Sequence, residues 1–124
     1  MHKVEDLKIW NKAIKLVKEV YLIISELPKE EKFGIVSQIK RSAVSIPSNI
    51  AEGAGRNSQK EFKYFLSIAN GSAYELQTQL ILIIELNLII KEKVQPVIEL
   101  CVEIQKMNYS FQKSLSKTEL HTQY

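Results

Sequence analysis

Cysteine is almost missing from these 124 residues: Cys101 stands alone, so no intrachain disulfide can form, which fits a reducing compartment. Histidine is nearly as scarce. His2 and His121 sit at the two ends of the chain, which argues against a His-centred triad and against a zinc site; no metal and no cofactor is expected. Three prolines and four glycines are too few for a linker-rich or disordered chain. No long apolar run exists either, because the densest stretch, Leu80 to Ile90, is interrupted by Glu85 and Asn87 and falls short of the roughly 20 residues a spanning helix requires. The opening Met1-His2-Lys3-Val4-Glu5-Asp6 is polar and acidic, unlike a signal peptide, so a soluble, cytoplasmic protein without membrane contact is expected. Neither sign of charge dominates: 17 basic and 14 acidic side chains leave +3, too mild an excess to define a partner.

Enzyme signatures are equally thin. A carboxylate-bridged di-iron bundle needs inward Glu-x-x-His pairs, and none occurs. Gly53 and Gly55 follow a helical pattern rather than a strand, which rejects a dinucleotide fingerprint. Ser37-Gln38-Ile39-Lys40 and Ser114-Leu115-Ser116-Lys117 both match Ser-x-x-Lys, a pattern short enough to arise by chance in helices. Cys101 lies on an apolar seam, where a cysteine is a small core residue more often than a nucleophile. The chain is therefore read as non-enzymatic.

Its positive content is helical period. From Leu7 to Leu27 the apolar residues fall in two seams, Leu7, Trp10, Ile14, Val17, Tyr21, Ile24 and Ile9, Ala13, Leu16, Val20, Ile23, Leu27. Together they span an arc of roughly 160°, wide enough to touch more than one neighbour. Asp6 is the natural N-cap, and Pro28 ends this helix or starts the next. The second helix is predicted from about Lys29 to Glu52, with Glu30 and Glu31 in its first turn and a stripe of Ile35, Ile39, Ala43, Ile46 and Ile50. Pro47 predicts a kink, with Ser45 or Ser48 satisfying the freed backbone group; a break into two helices is the competing reading. Gly53 to Asn57 reads as a stop and loop, the glycines supplying positive φ. Ser58 and Glu61 have capping-box spacing, and the third helix follows with Phe62, Leu66, Ala69, Ala73, Leu76, Leu80 and Ile83 inward and Asn87 as a left-handed cap. The fourth is predicted from Lys91 to Lys117 along Val94, Val97, Cys101, Ile104, Asn108, Phe111 and Leu115, with Pro96 near its start. Residues 1–124 thus form one domain, an all-α, antiparallel up-down-up-down four-helix bundle, with 1–5 and 118–124 as frayed tails.

Polar residues offer three candidate sites. Gln38, Arg41, Ser45, Asn49 and Glu52 share one face of the second helix, for which a solvated surface is the plain reading. If the second and third helices turn back near Arg56, level residues have numbers summing to roughly 112, which sets Arg41 beside Gly71 and within a turn of Glu75. A partly buried Arg41–Glu75 ion pair that fixes register or a subunit contact is expected, with Gly71-Ser72-Ala73 leaving room for close approach. Basic residues cluster as Arg56, Lys60 and Lys63 near the turn, and as Lys8, Lys12 and Lys15 on the first helix; an ordinary solvated face is the plain reading of both. Neither cluster shows interleaved exposed aromatics of the kind that stack on single strands.

Three pieces carry a resemblance across nearly the whole chain: Asp6-Leu7-x-x-Trp10, the unbroken run Gln38 to Gly53, and Glu61-Phe62-x-x-Phe65-Leu66-x-x-Ala69-x-Gly71-Ser72-x-x-Glu75-Leu76. On these the chain resembles the small four-helix-bundle proteins encoded in intervening sequences of 23S ribosomal RNA. It is also similar to the accessory bundles that work beside reverse transcriptases in diversity-generating retroelements. The resemblance implies a ring-shaped homo-oligomer, a pentamer, and binding of RNA or DNA through a positive surface; five copies would carry about +15. The wide arc of the first helix and the isoleucine and leucine excess ending the third agree with burial between subunits, for which Trp10, Ile84 and Leu88 are the candidate interface residues. Three positions depart from the family pattern: Asn87-Leu88 replaces a glycine and an aromatic, and Asn70 replaces a basic residue. The resulting expectation is phosphate binding by Arg56, Lys60, Lys63 and Lys40, the rival being a scaffold that recruits a partner protein, such as a reverse transcriptase, without touching nucleic acid.

Overall fold

Four helices make up the fold in the computed structural model: α1 (Lys8–Ile24), α2 (Ile35–Ala54), α3 (Gln59–Glu85) and α4 (Lys91–Thr122). The structure describes residues 3–31 and 34–122, with side chains to residue 116, and no strand occurs among them. Cross-helix contacts fix the directions. Ser42 meets Glu75 while Ser45 meets Ser72, so α2 and α3 run oppositely. Lys63 reaches Ser116 and Cys101 reaches Ala73, reversing α4 against α3, and Lys12–Glu103 with Lys93–Glu26 reverse it against α1. Each helix is therefore antiparallel to its neighbours, as the short connections require.

The core is built from the predicted stripes. Ile39, Ala43, Ile46 and Ile50 of α2 are wholly buried, as are Leu66, Ala69, Leu76, Leu80 and Ile83 of α3 and Val94 and Cys101 of α4. In α1 the two seams separate: Ile9, Ala13, Leu16, Val20 and Ile23 enter the core, whereas Leu7, Trp10 and Val17 pack half-buried along its flank. Asn108, the polar interruption of the α4 seam, is buried without penalty because its amide donates to the Leu66 carbonyl at 2.9 Å and its oxygen accepts from Gln112.

Helix ends depart from expectation in four places. Asp6 does not cap α1; its N–H closes a tight turn on the Lys3 carbonyl, Leu7 takes the cap position, and the Asn11 amide reaches back to the Glu5 and Leu7 carbonyls. Lys29–Glu31 forms a separate 3-10 turn after Pro28, so Glu30 and Glu31 precede α2 instead of opening it. At the far end α2 continues to Ala54, and no described glycine has positive φ. α4 extends to Thr122, five residues past the predicted end, while residues 123 and 124 lie outside the described residues. Other signals hold. Ser58 Oγ accepts from the Glu61 N–H, and Asn87, at φ 57°, ends α3 with Leu88 N–H on Ile83 O and Asn87 N–H on Ile84 O, a Schellman pair.

α2 passes through Pro47 as one helix, which removes the two-helix reading. Ser45 spends its hydroxyl on Ser72 and Asn49 rather than on the freed Ala43 carbonyl.

Gly53 shows what the glycines are for. A Cβ there would lie 2.9 Å from both Phe62 Cδ1 and Phe65 Cβ and 3.1 Å from the Phe62 carbonyl oxygen, so the helices converge where only hydrogen fits. Gly71, the predicted point of close approach, has nothing within 4 Å of the same position. Gly53→Ala should therefore destabilise by roughly 1–3 kcal/mol through overpacking, whereas Gly71→Ala should stabilise by about 0.5–1 kcal/mol through helix propensity. Denaturant unfolding of the two variants checks the pair; a neutral Gly53→Ala would refute the tight contact.

Candidate nucleic-acid interface

The polar stripe on α2 is spent largely on structure. Ser42, itself buried, donates to Glu75 at 2.6 Å, Ser45 pairs with Ser72 at 2.8 Å, and Asn49 donates back to Ser45. Both cross-helix pairs have numbers adding to 117 rather than 112. The difference follows from α2 running on to Ala54 before α3 begins at Gln59, which moves the reversal two to three residues later than predicted. Ser42 thereby takes the place beside Glu75 that was predicted for Arg41. The expected Arg41–Glu75 ion pair is not formed; both side chains are exposed and line, with Ser37, Gln38 and Gln79, an open cleft of about 340 Å³. The Ser42 hydroxyl, sealed under the helices, is not presented to that cleft as a nucleophile.

The basic candidates separate. Arg56 is ion-paired with Glu52 at 3.1 Å and lies 4.8 Å over the Phe65 ring. Lys63 donates to Ser116 of α4, Lys60 is exposed on the first turn of α3, and these three residues share the α2–α3 end of the bundle. Lys40 does not join them: sixteen residues before Arg56, it sits roughly 24 Å along the axis, over the Tyr21 ring at 5.2 Å. On α1, Lys12 is paired with Glu103 at 2.8 Å, leaving Lys8 and Lys15 exposed. The aromatic expectation is overturned. Tyr64, one turn beyond Lys60, is 62% exposed, so a ring does interleave with the basic residues. Period alone places Tyr64 off the α3 seam, and that was the available signal.

Trp10, Ile84 and Leu88 are half-buried against the core and do not form one patch: pairings across α4 put Trp10 about 20 Å from Ile84 along the axis. The exposed apolar surface lies elsewhere. Leu82, Leu86 and Ile90 follow at steps of four where α3 ends, and Leu22 stands 67% exposed on α1, a helix that does not touch α3.

Cys101 is buried, donates to the Ala73 carbonyl, and has its pKa pushed by burial to about 11. His2 and the His121 side chain lie outside the described residues, and among the described residues no group of His, Cys, Asp or Glu could hold a metal ion. No described helix is long and apolar enough to cross a membrane.

Fold and surface thus define an all-helical bundle whose interior carries packing and whose outside carries whatever it binds. The family model of the 23S rRNA-intervening sequence proteins matches residues 5–110, and the chain belongs to that family. It is similar to a solved protein of unknown function from the S23 ribosomal protein family of Bacteroides thetaiotaomicron: 29% identity, TM-score 0.79, 85% of this chain and 98% of that one covered. No curated protein matches the chain.

Two outcomes follow from these contacts. A double-mutant cycle on Ser42→Ala and Glu75→Ala should return a coupling of roughly 1 kcal/mol, while Arg41→Ala should stay within about 0.5 kcal/mol of the parent; strong Arg41–Glu75 coupling would restore the ion pair. Cys101 should resist thiol reagents until the protein unfolds. Because its folded pKa is raised, the unfolded chain loses the proton first, and stability contributed by the buried thiol declines as pH climbs from 9.0 to about 11. Unfolding measured across that window should fall less steeply in Cys101→Ala.

Proposed function

We propose that this protein is a non-enzymatic, homo-oligomeric bundle that binds RNA or DNA through phosphate contacts at its α2–α3 end. The observation carrying this reading is Tyr64, exposed beside Lys60, Lys63 and Arg56: cations that meet phosphates and a ring that meets bases occur on one surface. Self-association is supported by the uncovered Leu82, Leu86 and Ile90 at the opposite end of α3, with Leu22 uncovered on α1. The family resemblance suggests five subunits. Closure into a ring multiplies the +3 of one chain and repeats the basic end around the assembly.

The second reading, a protein-recruiting scaffold, is favoured by the internal engagement of Arg56 with Glu52 and of Lys63 with Ser116. Titration of a labelled single strand, on protein whose subunit number is fixed by light scattering, separates the two. Three phosphate contacts predict roughly a 20-fold loss of affinity for a fourfold rise in salt, and Lys60→Glu with Lys63→Glu should weaken binding at low salt. Absence of binding at low salt, or indifference to that charge reversal, would transfer the case to the scaffold.

A further inference from the structure

A second groove, of about 510 Å³, opens between α3 and α4 away from the α2–α3 turn. Its walls include Tyr74 and Asn70 from α3 and Lys106 and Tyr109 from α4, with Val102 adding apolar surface. A single exposed tyrosine needs no explanation. Here two line one concavity, Tyr74 at 55% and Tyr109 at 64% exposure, and among the described residues their rings do not touch each other. Lys113 lies 5.2 Å over the Tyr109 ring, a cation already placed beside an aromatic.

The electrostatics select the occupant. No carboxylate lines the groove, and Lys106 is exposed at its edge. The Asn70 amide oxygen is buried beneath the groove without a hydrogen-bond partner, so the recognition surface left to a ligand is the two π-faces and the lysines. Steps of three, four and seven place the groups in rows: Lys63, Asn70 and Tyr74 share one face of α3, and Lys106, Tyr109 and Lys113 share one face of α4. The α3 row begins at Lys63, in the basic end described above, and runs roughly 16 Å to Tyr74.

From this arrangement we propose that the α3–α4 groove is a base-stacking site for single-stranded nucleic acid, with Tyr74 and Tyr109 as platforms for unpaired bases and Lys106 and Lys113 meeting the phosphates that flank them. The assignment rests on the nucleic-acid reading and deepens it: the basic end supplies attraction common to any polyanion, and the groove supplies preference for unpaired strands, since a duplex keeps its bases stacked on each other.

Fluorescence anisotropy with a uridine oligomer and a duplex of equal length tests it, using Tyr74→Ala/Tyr109→Ala, Tyr74→Phe/Tyr109→Phe and Lys60→Glu/Lys63→Glu. Both tyrosines are exposed, so helicity and subunit number should be unchanged in all variants. The alanine pair should lose single-strand affinity by roughly tenfold or more with duplex affinity intact, the phenylalanine pair should retain it, and the lysine pair should weaken both. Parental single-strand affinity in the alanine pair, beside a weakened lysine pair, would overturn the groove and leave the basic end standing. Equal loss of both ligands, or an altered subunit number in the alanine pair, would also overturn it, the latter by showing that a second copy covers the tyrosines. A parent that binds neither ligand at low salt would remove both proposals together.

Discussion

The approach of α2 to α3 at Gly53 sets the geometry of everything around it. Phe62 and Phe65 press on a backbone with no side chain in between, and Phe62 continues inward to meet Phe111 of α4 edge-on, ring centres 5.3 Å apart. One absent methyl group therefore locates three helices. From that point the α2–α3 seam is held by a ladder of small polar contacts, Ser45 with Ser72 and Ser42 with Glu75, which tolerate little sliding because each hydroxyl has one partner on the facing helix. The seam of α1 is looser, its flank left half-covered.

This division of labour explains why the polar stripe of α2 carries so little chemistry. Groups that looked available from their spacing are occupied with joining helices, and the basic end is partly occupied too, Arg56 with its own glutamate and Lys63 with α4. What remains free is the outside of α3 and α4, where tyrosines and lysines alternate without acidic neighbours in the groove. The chain's match to the 23S rRNA-intervening sequence family runs over residues 5–110 and so takes in all four helices, and what such a bundle meets is decided by its outward faces rather than by its fold.

Much of the architecture was legible because burial imposes period. Ile39, Ala43, Ile46 and Ile50, or Val94, Val97, Cys101 and Ile104, must recur at three and four to face one core, and nothing local competes with that demand. Caps were legible where a side chain acts on its own backbone, as at Ser58, or where left-handed geometry selects the residue, as at Asn87. Register was not. An error of two or three residues in placing the α2–α3 reversal exchanged Ser42 for Arg41 beside Glu75 and moved the close approach from Gly53 to Gly71, because pairing across helices depends on a loop length that periodicity does not constrain. Asp6 failed as a cap because the 3-10 turn Val4–Asp6 absorbs it and sets the start of α1 one residue later, with Leu7 at the cap position. The tyrosines were overlooked because positions off a seam read as generic surface; their significance lies in two helices bringing Tyr74 and Tyr109 to one groove.

Asn108 has one more effect. Its amide finds a carbonyl acceptor in the middle of α3, at Leu66, while Val94, Val97, Ile104, Phe111 and Leu115 on the same seam bring only hydrocarbon, and Cys101 on Ala73 and Gln105 on Gln77 add further polar contacts to α3. Shifting α4 lengthwise by a single turn would leave hydrocarbon facing hydrocarbon almost everywhere, a nearly equivalent fit, yet would strand this amide with nothing to bond. The buried side chain therefore works as an index mark, distinguishing one alignment of two greasy cylinders from its near-degenerate alternatives, and every surface row that α4 presents, tyrosine and lysines included, inherits its position from that mark.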